Sequence, residues 1–249
     1  MNRCEVCGSQ TSSCPESCPE CGAFATLLPF EPPAPPTAAP AFLAVDAGDI
    51  AEDATRKIST GLPAWDDVLS GGVVLGGSVV IYGGPGAKKT TRAGAIADFV
   101  ACVLRGRALF LSAEMPSPMV RDAIQRVRLP RALSIIGAER DANILDRCLS
   151  EVLRLRPRVV VYDSIQAFEV GSVEAGTDFG ISATVRLARK YAAQLNHVAI
   201  LISQVNKSGQ PAGPHRTIHD CDTIIELEHD KIRVEKNRYA PAPRDAVLT

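Results

Sequence analysis

Net charge is nearly absent from this chain: 27 lysines and arginines stand against 28 aspartates and glutamates. A surface for nucleic acid would therefore be a local patch, because there is no chain-wide field to attract one. Long apolar runs are missing too, and the first residues show no basic-then-apolar leader. No membrane partner or secretory signal is expected, and the cytoplasm is the expected compartment. Cysteine is scarce beyond residue 21, where only Cys102, Cys148 and Cys221 occur, against five in the first 21 positions. That clustering suits metal binding in a reducing compartment better than a disulfide framework. What is present is ordinary globular material, 46% apolar, with helix-like and strand-like stretches alternating. The length suits one large α/β domain with a small appendage.

The stretch Ser78 to Arg92 reads SVVIYGGPGAKKTTR. A strand-favouring run, Ser78–Tyr82, enters a Gly/Pro turn and leaves it as an apolar-periodic helix. A phosphate loop needs that order: backbone N–H groups turn toward a polyphosphate, and the helix adds its positive end. Against the template G-x-x-x-x-G-K-[ST], Gly83 is the first glycine, Lys89 the lysine and Thr90 the hydroxyl for Mg²⁺. Gly84, Pro85, Gly86, Ala87 and Thr91 complete the cradle. The second glycine is missing, because Lys88 stands there. Close approach of the backbone to phosphate favours glycine at that position. Lys88 either points outward as added positive charge or crowds the site. The plainer reading is a Gly-rich turn with surface lysines.

The N-terminus carries a second signal. Cys4-x-x-Cys7 and Cys18-x-x-Cys21 are each followed by glycine, giving two knuckles around one ion. Four thiolates at this spacing suit tetrahedral Zn²⁺, which would supply most of the folding energy of so short a segment. Cys14 is a fifth candidate ligand, and a disordered cysteine-rich tail is the alternative. Dense proline from Pro29 to Pro40 reads as a semi-rigid spacer. The expected organisation is a zinc module at 1–28, a linker at 29–55 and the main domain at 56–249.

Within the main domain, Leu62, Trp65, Val68 and Leu69 have helical spacing, and Trp65 reads as a packing residue. Helices are predicted near 90–105, 117–128, 142–155 and 180–195, the last with Arg186, Arg189 and Lys190 on its polar side. Strands are predicted at Ala108–Ser112, Arg158–Tyr162 and His197–Ser203, with a hairpin at 223–227 and 231–235. This alternation predicts a mostly parallel sheet with helices on both faces, whose ligands sit beyond the carboxyl ends of the strands. The loop Gly83–Thr90, Glu114, Asp163 and Gln204 all fall at such ends. A carboxylate there, as at Asp163, reaches the Mg²⁺ of a nucleotide, although a simple strand cap is the bland alternative.

The order of these pieces resembles the bacterial RadA (Sms) family of RecA-like repair ATPases. The resemblance rests on the four-cysteine module, RKISTGLPAWDDVLSGG, GGPGAKKTT, LFLSAE, VVVYDSIQAF, VNKSGQPAGP and KNRYA. It implies a RecA-like P-loop core with ATP, Mg²⁺ and Zn²⁺ as cofactors. Lys89 would contact the β/γ-phosphates, Asp163 the metal through water, and Glu114 the attacking water. Gln204 would sense the γ-phosphate, although the family usually carries histidine in that stretch. Lys236 and Arg238 would reach a neighbouring subunit's site in a ring or filament. Loops 164–178 and 205–219, with Lys207 and Arg216, would hold single-stranded or branched DNA by its backbone. The chain stops soon after KNRYA, so a C-terminal Lon-like domain is not expected. The leading expectation is an ATP-driven enzyme of recombinational repair. The alternative is a weakly or non-hydrolysing adaptor that binds DNA or a replicative helicase; a replicative helicase or a recombinase is the expected protein partner. A regulatory ATPase of the KaiC type shares the core, but the zinc knuckles and KNRYA argue against it.

Overall fold

A computed structural model describes residues 2–13, 15–24, 27–29, 56–126, 132–140, 144–206, 210–211, 213, 218 and 220–248. The spacer beyond Pro29, together with Cys14, Lys207 and Arg216, lies outside the described residues. Three short N-terminal strands come first: β1 (Asn2–Cys4), β2 (Gln10–Thr11) and β3 (Leu27–Pro29). A two-strand ribbon follows, β4 (Lys57–Ile58) and β5 (Val73–Val74), with α1 (Pro63–Val68) between its strands. The alternating core then runs β6 (Ser78–Tyr82), α2 (Lys89–Val103), β7 (Ala108–Ser112), α3 (Ser117–Gln125), β8 (Leu133–Ile136) and α4 (Leu145–Leu155). It continues through β9 (Val159–Asp163), α5 (Asp178–Leu195), β10 (Val198–Ser203), β11 (Thr223–Leu227), β12 (Lys231–Asn237) and β13 (Arg244–Val247).

Eight strands form one sheet in the order β13-β12-β11-β6-β10-β9-β7-β8. Strands β11, β6, β10, β9, β7 and β8 pair in parallel, while β12 and β13 close one edge antiparallel. The central strands are apolar at nearly every position, as a sheet covered on both faces requires. Val79, Ile81, Val159, Val161 and Ile200 pack with Ile96 and Val100 of α2 and Ile124 of α3. Their neighbours Val80, Val160, Tyr162 and Leu201 face the other way, onto Leu149 and Val152 of α4 and Val185 and Ala188 of α5. Trp65 is a packing residue, 1% exposed in the first of these cores.

Two sheet strands differ from expectation. β8 is only partly buried and lies at an edge, and β13 reads Arg-Asp-Ala-Val with mostly exposed positions. Neither gives an apolar alternation that sequence could reveal, because edge strands need only one paired side. Helix α3 stops at Gln125, short of the predicted 128.

The N-terminal module packs on the α4/α5 face. Cys4, Val6, Cys18, Cys21, Ala23 and Leu27 belong to the same buried cluster as Leu149, Val170 and Leu187. Arg186 of α5 donates to the Glu20 carbonyl and lies 3.3 Å from its carboxylate. Ser172 Oγ donates to the Phe24 carbonyl at 3.1 Å. The ring of Phe179 lies against Gly22, where a Cβ would stand 2.1 Å from it.

Candidate nucleotide site

Register explains why the site residues meet. Across the sheet Tyr82 pairs with Ser203, Ile202 with Asp163, and Asp163 with Ser112. The residues just beyond that row, Gly83, Gln204, Ser164 and Ala113, therefore leave the sheet at one level. Gly83 has no room for a side chain: a Cβ there would stand 2.0 Å from the Leu227 carbonyl. The loop it opens delivers Lys89 and Thr90 to the first turn of α2, which contains no acidic residue to compete for the helix's positive end.

Lys89 Nζ donates to the carbonyls of Gly83 (2.6 Å) and Gly84 (3.0 Å). Burial lowers its pKa, against the opposing pull of Asp163 and Glu114, which places all three groups within electrostatic reach. Thr90 Oγ1 donates to Asp163 Oδ2 at 2.6 Å. Burial pushes the Asp163 carboxyl up to about 6; Glu114 adds to the rise, while Thr90 and Lys89 oppose it. A hydroxyl in contact with a buried carboxylate is a hard-oxygen pair of the kind Mg²⁺ takes while keeping most of its waters. Glu114 Oε1 accepts from Gln204 Nε2 at 2.9 Å and from Ser164 Oγ. Lys89, Thr90, Asp163, Glu114 and Gln204 thus form one contiguous group.

Lys88 is exposed and has φ 62° and ψ 31°, the left-handed region. Glycine suits this position because of that backbone conformation, which disfavours side chains with a Cβ.

The family model described as an AAA domain matches residues 48–210, well over half of the chain. The chain belongs to the AAA domain family. It is similar along nearly its whole length to proteins named DNA repair protein RadA. The Mycobacterium tuberculosis relative is 29% identical over 257 residues, 96% of this chain and 52% of that protein. The Aquifex aeolicus relative is 26% identical over 261 residues, 98% and 56% respectively. The chain spans about half the length of the curated relatives it matches. Among solved structures, a KaiC-like protein of Pyrococcus horikoshii aligns with a TM-score of 0.60 at 17% identity, over 78% of this chain and 92% of that one. That likeness shows the fold, a RecA/KaiC-like P-loop core.

Two further predicted site residues, Lys236 and Arg238, lie beyond the matched segment and away from this group within one chain. Thr223 pairs with both Val79 and Asn237, so Lys236 and Arg238 sit at the start of β6, at the opposite end of the strand from the loop. Lys236 Nζ donates to the Cys221 carbonyl at 2.9 Å, and Arg238 pairs with Asp222 at 3.1 Å. Within one chain they do not approach Lys89. Of loop 205–219, residues 205–206 and 210–211 close on each other, and Gly213 lies against Ile181 of α5. Ser164 and Gln166 carry no individual role in the sequence, where they stand only within loop 164–178 and the phrase VVVYDSIQAF; their partners on other strands are what the structure adds.

The module's four sulfurs lie within 4.8 Å of one another, with Cys4–Cys21 at 3.6 Å and Cys7–Cys18 at 3.7 Å. A tetrahedral Zn²⁺ with bonds of about 2.3 Å sets ligand sulfurs about 3.8 Å apart, so the donor set fits. The two knuckles repeat one geometry: Gly8 N donates to Cys4 O at 2.8 Å and Gly22 N to Cys18 O at 2.7 Å. Both glycines have φ 73°. Burial raises the Cys7 and Cys21 thiols, and a bound dication reverses that penalty by holding them as thiolates.

Proposed function

We propose that this chain is a DNA-responsive ATPase of recombinational repair, assisting branch migration or strand exchange. The reading is carried by the joined contacts Thr90–Asp163 and Gln204–Glu114 at one end of the sheet. It is supported by the similarity to proteins named for DNA repair. Mg²⁺, held by Thr90 and Asp163, would neutralise charge on the β- and γ-phosphates. Lys89 would exchange its bonds to the Gly83 and Gly84 carbonyls for phosphate oxygens. Glu114 would orient the attacking water and take its proton, and Gln204 would register the γ-phosphate. Lys236 and Arg238 would serve the site of a second copy, making turnover depend on a ring or filament. Loops 164–178 and 205–219 would follow a single-stranded or branched DNA backbone.

Phosphate release, measured with and without single-stranded DNA, tests this reading. Wild type is expected to release phosphate faster with DNA, and Lys89→Ala to lose at least about 100-fold, as when a charge-stabilising group is removed. Lys88→Gly is expected to raise stability by about 0.5–1 kcal/mol by relieving the left-handed backbone. Its release rate should equal or exceed that of wild type. The left-handed lysine also favours a second reading, an adaptor that hydrolyses weakly or not at all while docking DNA, a helicase or a recombinase. Absence of release from both wild type and Lys88→Gly would select that reading.

A further inference from the structure

The turn that follows Asp163 does more than deliver a carboxylate. Gln166 uses both ends of its carboxamide on the root of the next strand's loop. Its Nε2 donates to Ser203 Oγ at 2.9 Å, and its Oε1 accepts the Gln204 backbone N–H at 3.3 Å. Ser203 Oγ in turn donates to the Gln204 carbonyl at 3.0 Å. A backbone bond from Ile165 N to Ile202 O, at 3.0 Å, keeps the two strand ends in step. Gln204 is thereby fixed through both its N–H and its C=O, and its side-chain amide meets Glu114 Oε1 at 2.9 Å. Only one orientation of each carboxamide satisfies these partners, because a carboxylate accepts and a backbone N–H donates.

Ser203 and Ser164 are buried, so their hydroxyls would require partners for stability alone. Gln166 is different. It is partly exposed, and its bonds converge on the two residues that aim the Gln204 side chain. Lying within loop 164–178, it also ties that loop to Ser203 and Gln204, at the root of loop 205–219.

We propose that Gln166 is a positioning residue: it holds the Ser203–Gln204 backbone so that the Gln204 carboxamide stays on Glu114. The inference rests on the hydrolytic reading of this site and names the part that links its water-orienting carboxylate to both loops. A displacement near 1 Å at Gln204 is enough to matter, since misplacements of that size change rates by up to about 100-fold.

The test uses Gln166→Ala and Gln166→Glu in the full chain, with two readouts. The first is hydrogen exchange at the Gln204 amide, which is expected to quicken about tenfold or more in Gln166→Ala. In Gln166→Glu a carboxylate oxygen still accepts that N–H, and protection is expected to persist. The second is ATP turnover with DNA: in Gln166→Ala, kcat should fall about tenfold while KM for ATP stays within about twofold. Gln166→Glu should recover part of the loss. The double variant Gln166→Ala/Gln204→Ala should be no slower than Gln204→Ala, because both changes remove one arrangement. Unchanged exchange at the Gln204 amide in Gln166→Ala would overturn the proposal, as would additive losses in the double variant. A wild type without phosphate release would end the hydrolytic reading alone, and the Gln204 exchange rate would still decide the placement.

Discussion

Loading the four-cysteine module with Zn²⁺ and then chelating the ion is expected to loosen α5 as well as the module itself. The expectation follows from where the knuckles sit. Gly22 lies beneath Phe179, Glu20 is held by Arg186, and the Gly8 knuckle lies beside Lys190, all on α5. Val6 and Leu27 are each 7% exposed and share a buried cluster with the α4/α5 face. Binding of structural Zn²⁺ contributes on the order of 10 kcal/mol to such small modules, so the knuckles should not stay folded without it. Uncovering two aliphatic side chains and their receiving surface removes on the order of 3 kcal/mol, or roughly 5–10 °C in Tm. Hydrogen exchange after chelation, with a thiol reagent counting released cysteines, is the measurement. Faster exchange at 171–190 together with the module is expected. Faster exchange in the module alone would show that the packing against α5 contributes nothing.

Asp163→Asn is expected to stabilise the fold at neutral pH while damaging the site. The folded carboxyl titrates at about 6 against 3.8 for the free group. Keeping it ionised at pH 7 therefore opposes folding by about 3 kcal/mol, a penalty that fades as pH falls through 6 toward 4. Asparagine fills the same space and still accepts from Thr90, so the variant gains up to that amount at pH 7. His197 works in the other direction. It is fully buried and its pKa is lowered to about 4 by desolvation, so stability is lost as pH falls from 6.5 toward 4, again by about 3 kcal/mol. In wild type the two trends offset one another over this range. In Asp163→Asn the His197 slope should stand alone. Urea unfolding at pH 7, 6 and 5 reads both. A variant no more stable than wild type at pH 7 would mean that Asp163 is not strained by burial.

These features were unequally legible in the sequence. The loop, the strand ends and the order of the core could be read because buried parallel strands need unbroken apolar runs, and such runs end abruptly at polar residues. Ser78–Tyr82 and Ala108–Ser112 were legible to the residue. The edge strand β13 was hidden because its charged, exposed residues carry no period. Arg186 and Lys190 read as a solvated helix face, since nothing local says that a segment over 150 residues away covers them. The sequence raised the Lys88 problem, but its cause, a left-handed backbone, is a dihedral that no composition reveals. Ser164 and Gln166 were visible as a phrase, but their partners lie on other strands.

Equilibrium binding of ATP with and without Mg²⁺, measured by calorimetry on wild type, Lys89→Ala and Asp163→Asn, addresses the assembled site most directly. One ATP per wild-type chain, tightened by Mg²⁺, should be lost in Lys89→Ala and made indifferent to Mg²⁺ in Asp163→Asn. Equal affinity in Lys89→Ala, or an undiminished Mg²⁺ effect in Asp163→Asn, would mean that these segments do not share one nucleotide.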